Sequence, residues 1–468
     1  MPAQVPLPGE GTCLRESDRL RPMIGAGTGI LMGAGIAIGS GIFRSAGIVA
    51  EHAPSPLYTL GAWLLGGVFA ATAGLLIAEL STRYPLVGGD YVYLKVAYGR
   101  FVAFFFGWGY TIFVGGCGIA TMAAAFGDFG AQLLGRTDAP WLARGLSVGA
   151  IVVVTLINLA GLRAGAWTQN VLTLAKLAIL GAIVVGAAVW GRSPQWTATA
   201  STAGAAASGF AGLMRGLGAF SGAMMAVVWC FAGTTDTDKL AQEFHDPRRS
   251  MPLVMFGTAA TVTGVYLLLN WAFLRVLTPA EMAAAPVVPA DVFLRWFGPA
   301  GGRLALLLAL CVVFGALCST ILPVVRVPFA LAQDGLIFRF MGTLSPGQAP
   351  TGALIATGLC AAVFAISGAF EDVLAVYTIA TGVLFGLVNL SLFVIRRQEA
   401  RGLDRGRDYF RCPWGSAISL GLAAFQFLVA VGIAWTDLSE GSGKLALSTL
   451  GLFAGISLLY LFWPKPAA

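Results

Sequence analysis

Charge is what this sequence has least of. Only 11% of its 468 residues are Asp, Glu, Lys or Arg, where a soluble domain carries about 25%. A large water-facing surface is excluded. Histidine is nearly absent: His52 and His245 are the only two, too few for a His-based metal centre. Neither supplies a base to Gly145-Leu146-Ser147-Val148-Gly149, which matches the nucleophile-elbow pattern but opens an apolar span. The seven cysteines (13, 117, 230, 311, 318, 360 and 412) are scattered, mostly inside apolar runs, with no CxxC pair. They read as small hydrophobes rather than a disulfide framework or a metal site. No cofactor is expected. The N-terminus has no short apolar core and carries Glu10, Glu16 and Asp18, so residues 1–22 read as a soluble cytoplasmic tail and not a signal peptide.

What is present in quantity is apolar. The chain is 57% hydrophobic with a mean hydropathy of +0.81. A bilayer crossing takes about 20 apolar residues, so the length allows about a dozen. Apolar runs separated by polar or Gly/Pro punctuation predict an all-α membrane protein with twelve spans in one domain over 23–463. Their limits are 23–50, 57–82, 99–134, 144–162, 166–190, 211–243, 253–275, 303–333, 352–368, 373–395, 415–435 and 446–463. Spans one, three, six and eight exceed what a bilayer needs, so tilting, breaking or protrusion is expected there. With the N-terminus inside, cytoplasmic loops hold seventeen Lys or Arg and outer loops eight. That bias places both termini in the cytoplasm of a multi-pass protein of the cell membrane. It also accounts for the net charge of +7 without nucleic acid.

Two spans are poor continuous helices. Met23 to Phe43 has no charged residue, yet it contains seven glycines: 25, 27, 29, 33, 35, 39 and 41. Each costs about 1 kcal/mol against alanine in a helix. A break at membrane depth is tolerated where it lines a cavity or is buried in protein. In span six, uncharged residues 216–235 give way to Asp236, Asp238, Lys239 and Glu243 before Pro247. That pattern predicts an apolar half-helix, a Gly233-Thr234-Thr235 joint and a short amphipathic half-helix. Broken helices at corresponding positions of two five-span halves point to an inverted-repeat transporter. The halves cover about 23–190 and 211–396, with two extra spans over 415–463.

The candidate site follows from these breaks. Unwinding at Gly39-Ser40-Gly41 exposes N–H groups at the start of a half-helix, whose dipole favours a carboxylate, while the carbonyls on the other side suit an ammonium. Close packing by small residues is the competing use of these glycines. Trp229 and Phe231 precede the second break, and Trp229 is placed to gate a substrate. Tyr110, Thr111, Tyr377 and Thr381 are further candidates to line the same pocket. Lys176 is the only charge in the fifth span, where a lysine costs about 2.5–3.5 kcal/mol. It reads as a coupling group or internal cation. Arg326 reads as structural or interfacial and Asp128 as outside-facing.

Four segments in order, GAGIAIGSGIF (33–43), AELSTRYPLVGGDYVYL (78–94), WCFAGTTDTDKLAQEFHDPRRSMP (229–252) and RVPFALAQDG (326–335), resemble the amino acid–polyamine–organocation superfamily. The likeness runs over about residues 22–397 and is nearest to bacterial relatives of the L-type and cationic amino acid transporters. It implies a LeuT-type fold of five plus five inverted repeats with two added spans, and amino acid transport. Carried over by motif, Ile36, Ala37, Ser40 and Gly41 would meet the substrate's carboxylate and ammonium. Trp229, Cys230 and Ala232 would complete the site from span six. Lys176 matches a fifth-span lysine that, in sodium-independent members, stands near where sodium-coupled relatives bind an ion. Several positions depart from the family pattern. Pro323, Val324 and Val325 replace hydroxyl residues, Thr234-Thr235 replaces an aromatic and a carboxamide or acid, and Gln242-Glu243 replaces a Glu pair. The loop between spans three and four has no cysteine, so no disulfide-linked heavy chain is expected.

Residues and resemblance together predict a sodium-independent secondary transporter of amino acids working by alternating access, through proton symport or exchange. Its expected partners are the substrate, the lipid bilayer and protons. The alternative within transport is a polyamine or other organocation carrier, for which no acidic residue is placed mid-span to meet a second positive charge. From other classes, an intramembrane enzyme lacks convergent catalytic groups within spans. A channel would not need two half-helix breaks at repeat-related positions.

Overall fold

A computed structural model describes residues 22–39, 41–52, 55–191, 223–224, 226–285, 287–367, 370–403, 409–440 and 443–464. Nearly all of these are helical, and the described residues include no β-strand beyond two isolated bridges. Residues 1–21 of the N-terminal tail expected over 1–22, most of the first half of span six and Ser40 lie outside the described residues.

Span one is two helices, α1 (Ala26–Ala37) and α2 (Gly41–His52), bent by 56°. Span two is α3 (Pro56–Arg83); Ser55 starts it, its hydroxyl accepting from Tyr58 N at 3.3 Å, with Pro56 in the first turn where no N–H is needed. The short α4 (Asp90–Tyr98) leads into span three. That span runs unbroken through α5 (Arg100–Gly109), a π-helical stretch (Tyr110–Gly118) and α6 (Ile119–Leu133). Then come α7 (Pro140–Leu159) and α8 (Leu162–Trp190).

Span six is described from residue 223. It is helical to Phe231, turns over 232–235 and continues as a 3-10 helix, Asp236–Glu243. Both predicted breaks are therefore present. The second half departs from the expected amphipathic helix: Asp236, Asp238, Lys239 and Glu243 are all buried. Charged residues here mark an ionic cluster inside the protein rather than an exit to water.

The second half of the chain continues with α9 (Pro247–Val276) and the small helix α10 (Pro279–Ala284). A reciprocal cap starts α10: Glu281 N donates to Thr278 Oγ1 at 3.0 Å, and Thr278 N donates to Glu281 Oε2 at 2.7 Å. Span eight is α11 (Val288–Val324), kinked at Gly298, followed by α12 (Arg326–Gln333). After these come α13 (Thr351–Ser367), α14 (Phe370–Gln398), α15 (Gly415–Glu440) and α16 (Lys444–Phe462). Among the described residues nine helices are long and apolar enough to cross a bilayer, and the bent pair α1–α2 makes ten. The shorter apolar α13 lies where the ninth span is expected. The chain is a multi-pass membrane protein.

The ends of the two broken spans are tied together. Glu243 O accepts from Met23 N at 2.7 Å and Ile24 N at 2.9 Å, and His245 N donates to Ile24 O at 3.1 Å. Beside this join Arg326, fully buried, donates to both Glu243 carboxylate oxygens at 2.6 and 2.9 Å. The Arg326–Glu243 ion pair is thus enclosed in the interior, beside the join.

Candidate functional site

The glycines of span one divide into two sets with different work. Gly29, Gly33 and Gly35 are packing residues. A Cβ on Gly29 would stand 2.6 Å from the Phe244 ring, one on Gly33 2.6 Å from Thr258 Oγ1, and one on Gly35 2.7 Å from Ser319 Oγ. Without side chains there, α1 sits tightly between α8, α9 and α11. Gly39 and Gly41 belong to the break itself. The helix ends as Ile38 leaves helical geometry (φ −81°, ψ 89°) and Gly39 N donates to Ala37 O at 3.0 Å. The helix restarts at Gly41, and the first N–H groups of α2 have no helical partner of their own.

This break faces the one in span six. A Cβ on Gly41 would stand 3.1 Å from Cys230 Sγ and 3.5 Å from the Trp229 indole. From the other side, Gly233 turns with φ +88°, and a Cβ there would stand 2.6 Å from Ile36 Cγ2. Cys230, Ile36 and Ala37 are buried, Trp229 is half-buried, and Ala232 is exposed in the turn. Gly39 lies against Ala316. Of the predicted site residues, Ile36, Gly41, Trp229, Cys230 and Gly233 are brought into one place.

Tyr266 on α9 fastens the two breaks. Its hydroxyl stands 2.8 Å from Ala37 O and 2.9 Å from Cys230 O, donating to one carbonyl at a time. Its ring packs edge-on against Trp63 and Phe231, with centroids 5.2 Å away in each case. Sequence reasoning missed it, because a tyrosine in an apolar span reads as packing.

Lys176 is buried at 1% exposure, and its ammonium donates to Gly35 O at 2.7 Å and Ile38 O at 2.8 Å. Its Cε lies 3.2 Å from where a Cβ on Gly315 would stand, so it sits between spans five, one and eight. Together Lys176 and Tyr266 already engage carbonyls 35, 37 and 38, which narrows the place where a substrate ammonium can be met. Tyr377 meets Trp229 edge-on at 5.1 Å. Thr111 and Thr381 donate to carbonyls of their own helices, at 2.7 and 2.8 Å. Tyr110 lies under Lys239, with the ammonium 5.5 Å from its ring centre.

A family model described as "Amino acid permease" matches residues 26–454. Over 406 residues the chain is 27% identical to b(0,+)-type amino acid transporter 1 of Mus musculus, which covers 86% of this chain and 79% of that one. It is 29% identical over 288 residues to the serine/threonine exchanger SteT of Bacillus subtilis, covering 61% and 63% respectively. With cationic amino acid transporter 4 of Mus musculus the identity is 25% over 372 residues, covering 76% and 56%. The chain belongs to the amino acid permease family.

Proposed function

We propose that this protein moves amino acids across the cytoplasmic membrane by alternating access, without sodium, as a proton symporter or an amino acid exchanger, with both termini in the cytoplasm. One observation carries the reading: the breaks of spans one and six meet, Gly41 against Trp229 and Cys230, with the Tyr266 hydroxyl between the Ala37 and Cys230 carbonyls. The start of α2 offers its first-turn N–H groups and the positive end of a helix to a carboxylate. Carbonyls at the end of α1 and the span-six turn receive the ammonium. Trp229, its ring held edge-on to Tyr377, closes over the bound molecule. Lys176 stands in for a metal cation, its ammonium satisfying two carbonyls at the break. Its protonation favours one arrangement of span one, and that differential affinity is what lets a proton or substrate bias the cycle.

The test is uptake of labelled amino acids into proteoliposomes, with and without a pH gradient and with and without internal amino acid, in sodium-free and sodium buffers. Uptake driven by either gradient and unchanged by sodium is the expected result. A strict sodium requirement overturns the role given to Lys176, and absence of any amino acid binding or flux overturns the transport reading.

A further inference from the structure

Span five carries a stripe of buried polar atoms. On α8, residues 165, 169, 173 and 176 are spaced by four, four and three, so they share one face. Gln169 and Thr173 are closed in, at 0% and 1% exposure. Both amide atoms of Gln169 and the Thr173 hydroxyl have no hydrogen-bond partner among the described residues. At Gly165 the face meets α7. A Cβ there would stand 2.8 Å from Asn158 Oδ1, a further buried atom without a partner among the described residues. At its other end the face reaches Lys176, whose ammonium has three hydrogens and two carbonyl acceptors among the described residues.

Buried polar atoms are nearly always paired, with protein or with ordered water, and a buried water makes about three hydrogen bonds to such groups. Side chains three and four apart on a helix stand about 5–6 Å from each other at Cβ, a gap that one water bridges. From Gly165 to Lys176 the face is about 16 Å long. Thr173 Oγ1 lies against the point where a Cβ on Gly35 would stand, with Ser319 Oγ 2.7 Å from that point. The stripe therefore adjoins the residue whose carbonyl Lys176 holds. Asn158, at the opposite end, is two residues from Ala160, which is exposed in the turn that meets Gly347. The charge bias assigns that turn to the cytoplasm. Beyond Lys176, by contrast, residues 177–189 of α8 are all apolar.

We propose that this stripe holds a file of water molecules that carries the Lys176 proton to and from the cytoplasmic side, so that the pH of that side, and not of the outer one, sets the charge of the lysine. This rests on the coupling role given to Lys176. An amide and a hydroxyl each donate and accept, so Gln169 and Thr173 hold the waters without ionising. A proton leaves the ammonium for the nearest water as another leaves the far end of the file for the cytoplasm. The amine keeps two hydrogens for the Gly35 and Ile38 carbonyls. Lys176 is the group that titrates, given what faces it. From α1 come only carbonyls, and from α11 the Cys318 thiol. From α9 comes the Tyr266 hydroxyl, on the neighbouring Ala37 carbonyl, while Arg248, Arg249 and Arg275 lie at the ends of that helix.

The experiment uses membrane vesicles of both orientations carrying the full-length protein. Uptake of a labelled amino acid mixture is timed while the bath pH is varied and the lumen is strongly buffered. In inside-out vesicles, whose bath is the cytoplasmic side, the rate should follow bath pH, and in right-side-out vesicles it should not. Gln169→Leu and Thr173→Val keep the side-chain shapes and remove the polar atoms, a change that costs folding little where those atoms have no protein partner. Together they should abolish the response to cytoplasmic pH and leave substrate binding intact, whereas Thr173→Ser alone should keep the response. A wild-type response set by the outer face, alone or equally with the inner one, overturns the proposal, leaves the role of Lys176 standing and needs no variant. An undiminished response in the folded double variant does the same. A response that survives Lys176→Met, or that is absent from both faces of the wild type, overturns the coupling role of Lys176 and this inference with it.

Discussion

Replacing Lys176 by Met removes a buried ammonium and keeps most of the apolar stem. The ammonium's two hydrogen bonds, at 2.7 and 2.8 Å, are worth about 1.5–3 kcal/mol each for a charged donor, so about 3–6 kcal/mol together. Placing a lysine at mid-span costs about 2.5–3.5 kcal/mol. The terms offset each other in part, and folding stability should change by no more than about 3.5 kcal/mol. The consequence for transport is larger, because carbonyls 35 and 38, which flank the end of α1, lose their only link to α8 through this side chain. Uptake into proteoliposomes should fall at least about tenfold, by the loss of a charged hydrogen bond alone, while the protein still elutes as a folded species in detergent. Lys176→Arg should bind substrate yet fail to cycle, because the charge is then permanent and the wall at Gly315 leaves little room for a guanidinium. A fully active Met variant with the wild-type pH dependence would refute the reasoning. So would a Met variant that unfolds, since the lysine would then be a structural residue.

Gly41→Val puts a Cβ 3.1 Å from Cys230 Sγ, and its methyls toward the Trp229 indole, so substrate binding and uptake should be abolished in a protein that still folds. Wild-type uptake by that variant would remove the span-one break from the site. Tyr266→Phe keeps the ring contacts with Trp63 and Phe231 but leaves the Ala37 and Cys230 carbonyls without the hydroxyl, a penalty of about 1–3 kcal/mol. Substrate affinity should drop about tenfold or more in a binding assay, and no change would mean the hydroxyl does not hold the breaks together. Arg326→Met leaves Glu243 buried without its partner and should cost about 3–5 kcal/mol, read as a lowered unfolding temperature. Pairing it with Glu243→Leu should restore much of the loss, and failure to do so would show that the pair has a role beyond its own charges.

The fold was legible because its cues are local. A glycine cluster without charge at 39–41 marks one break, and an abrupt rise in polarity after Thr235 marks the other. Lys176 stood out as one charge in a long apolar run, which located it without revealing which carbonyls it holds. What stayed hidden depends on partners far apart in the chain. Tyr266 meets Ala37 and Cys230 only after folding, and Arg326 finds Glu243 across 83 positions. Asp236, Asp238 and Lys239 suggested a helix face turned to water because polarity along a chain does not tell a solvated charge from one neutralised in the interior. The glycines of span one suit both a break and close packing, and the two uses fall on different positions: 29, 33 and 35 serve close approach to neighbouring helices, 39 and 41 the break. Only the identity of those neighbours separates the two uses.

The main-chain join between residues 23–24 and 243–245 bears on how the carrier opens. Three backbone hydrogen bonds tie the start of span one to the end of span six, and no side-chain chemistry is needed to make or break them. At about 0.5–1.5 kcal/mol each, they favour the fastened state by about 1.5–4.5 kcal/mol, a bias from roughly tenfold to roughly a thousandfold. Such a fastening is firm enough to hold these two ends together for most of the time, and weak enough for thermal motion to release it repeatedly. Because the bonds are made by the backbone, a point substitution at these positions would leave most of the bias in place, and the opening frequency would be set by chain geometry more than by side-chain identity.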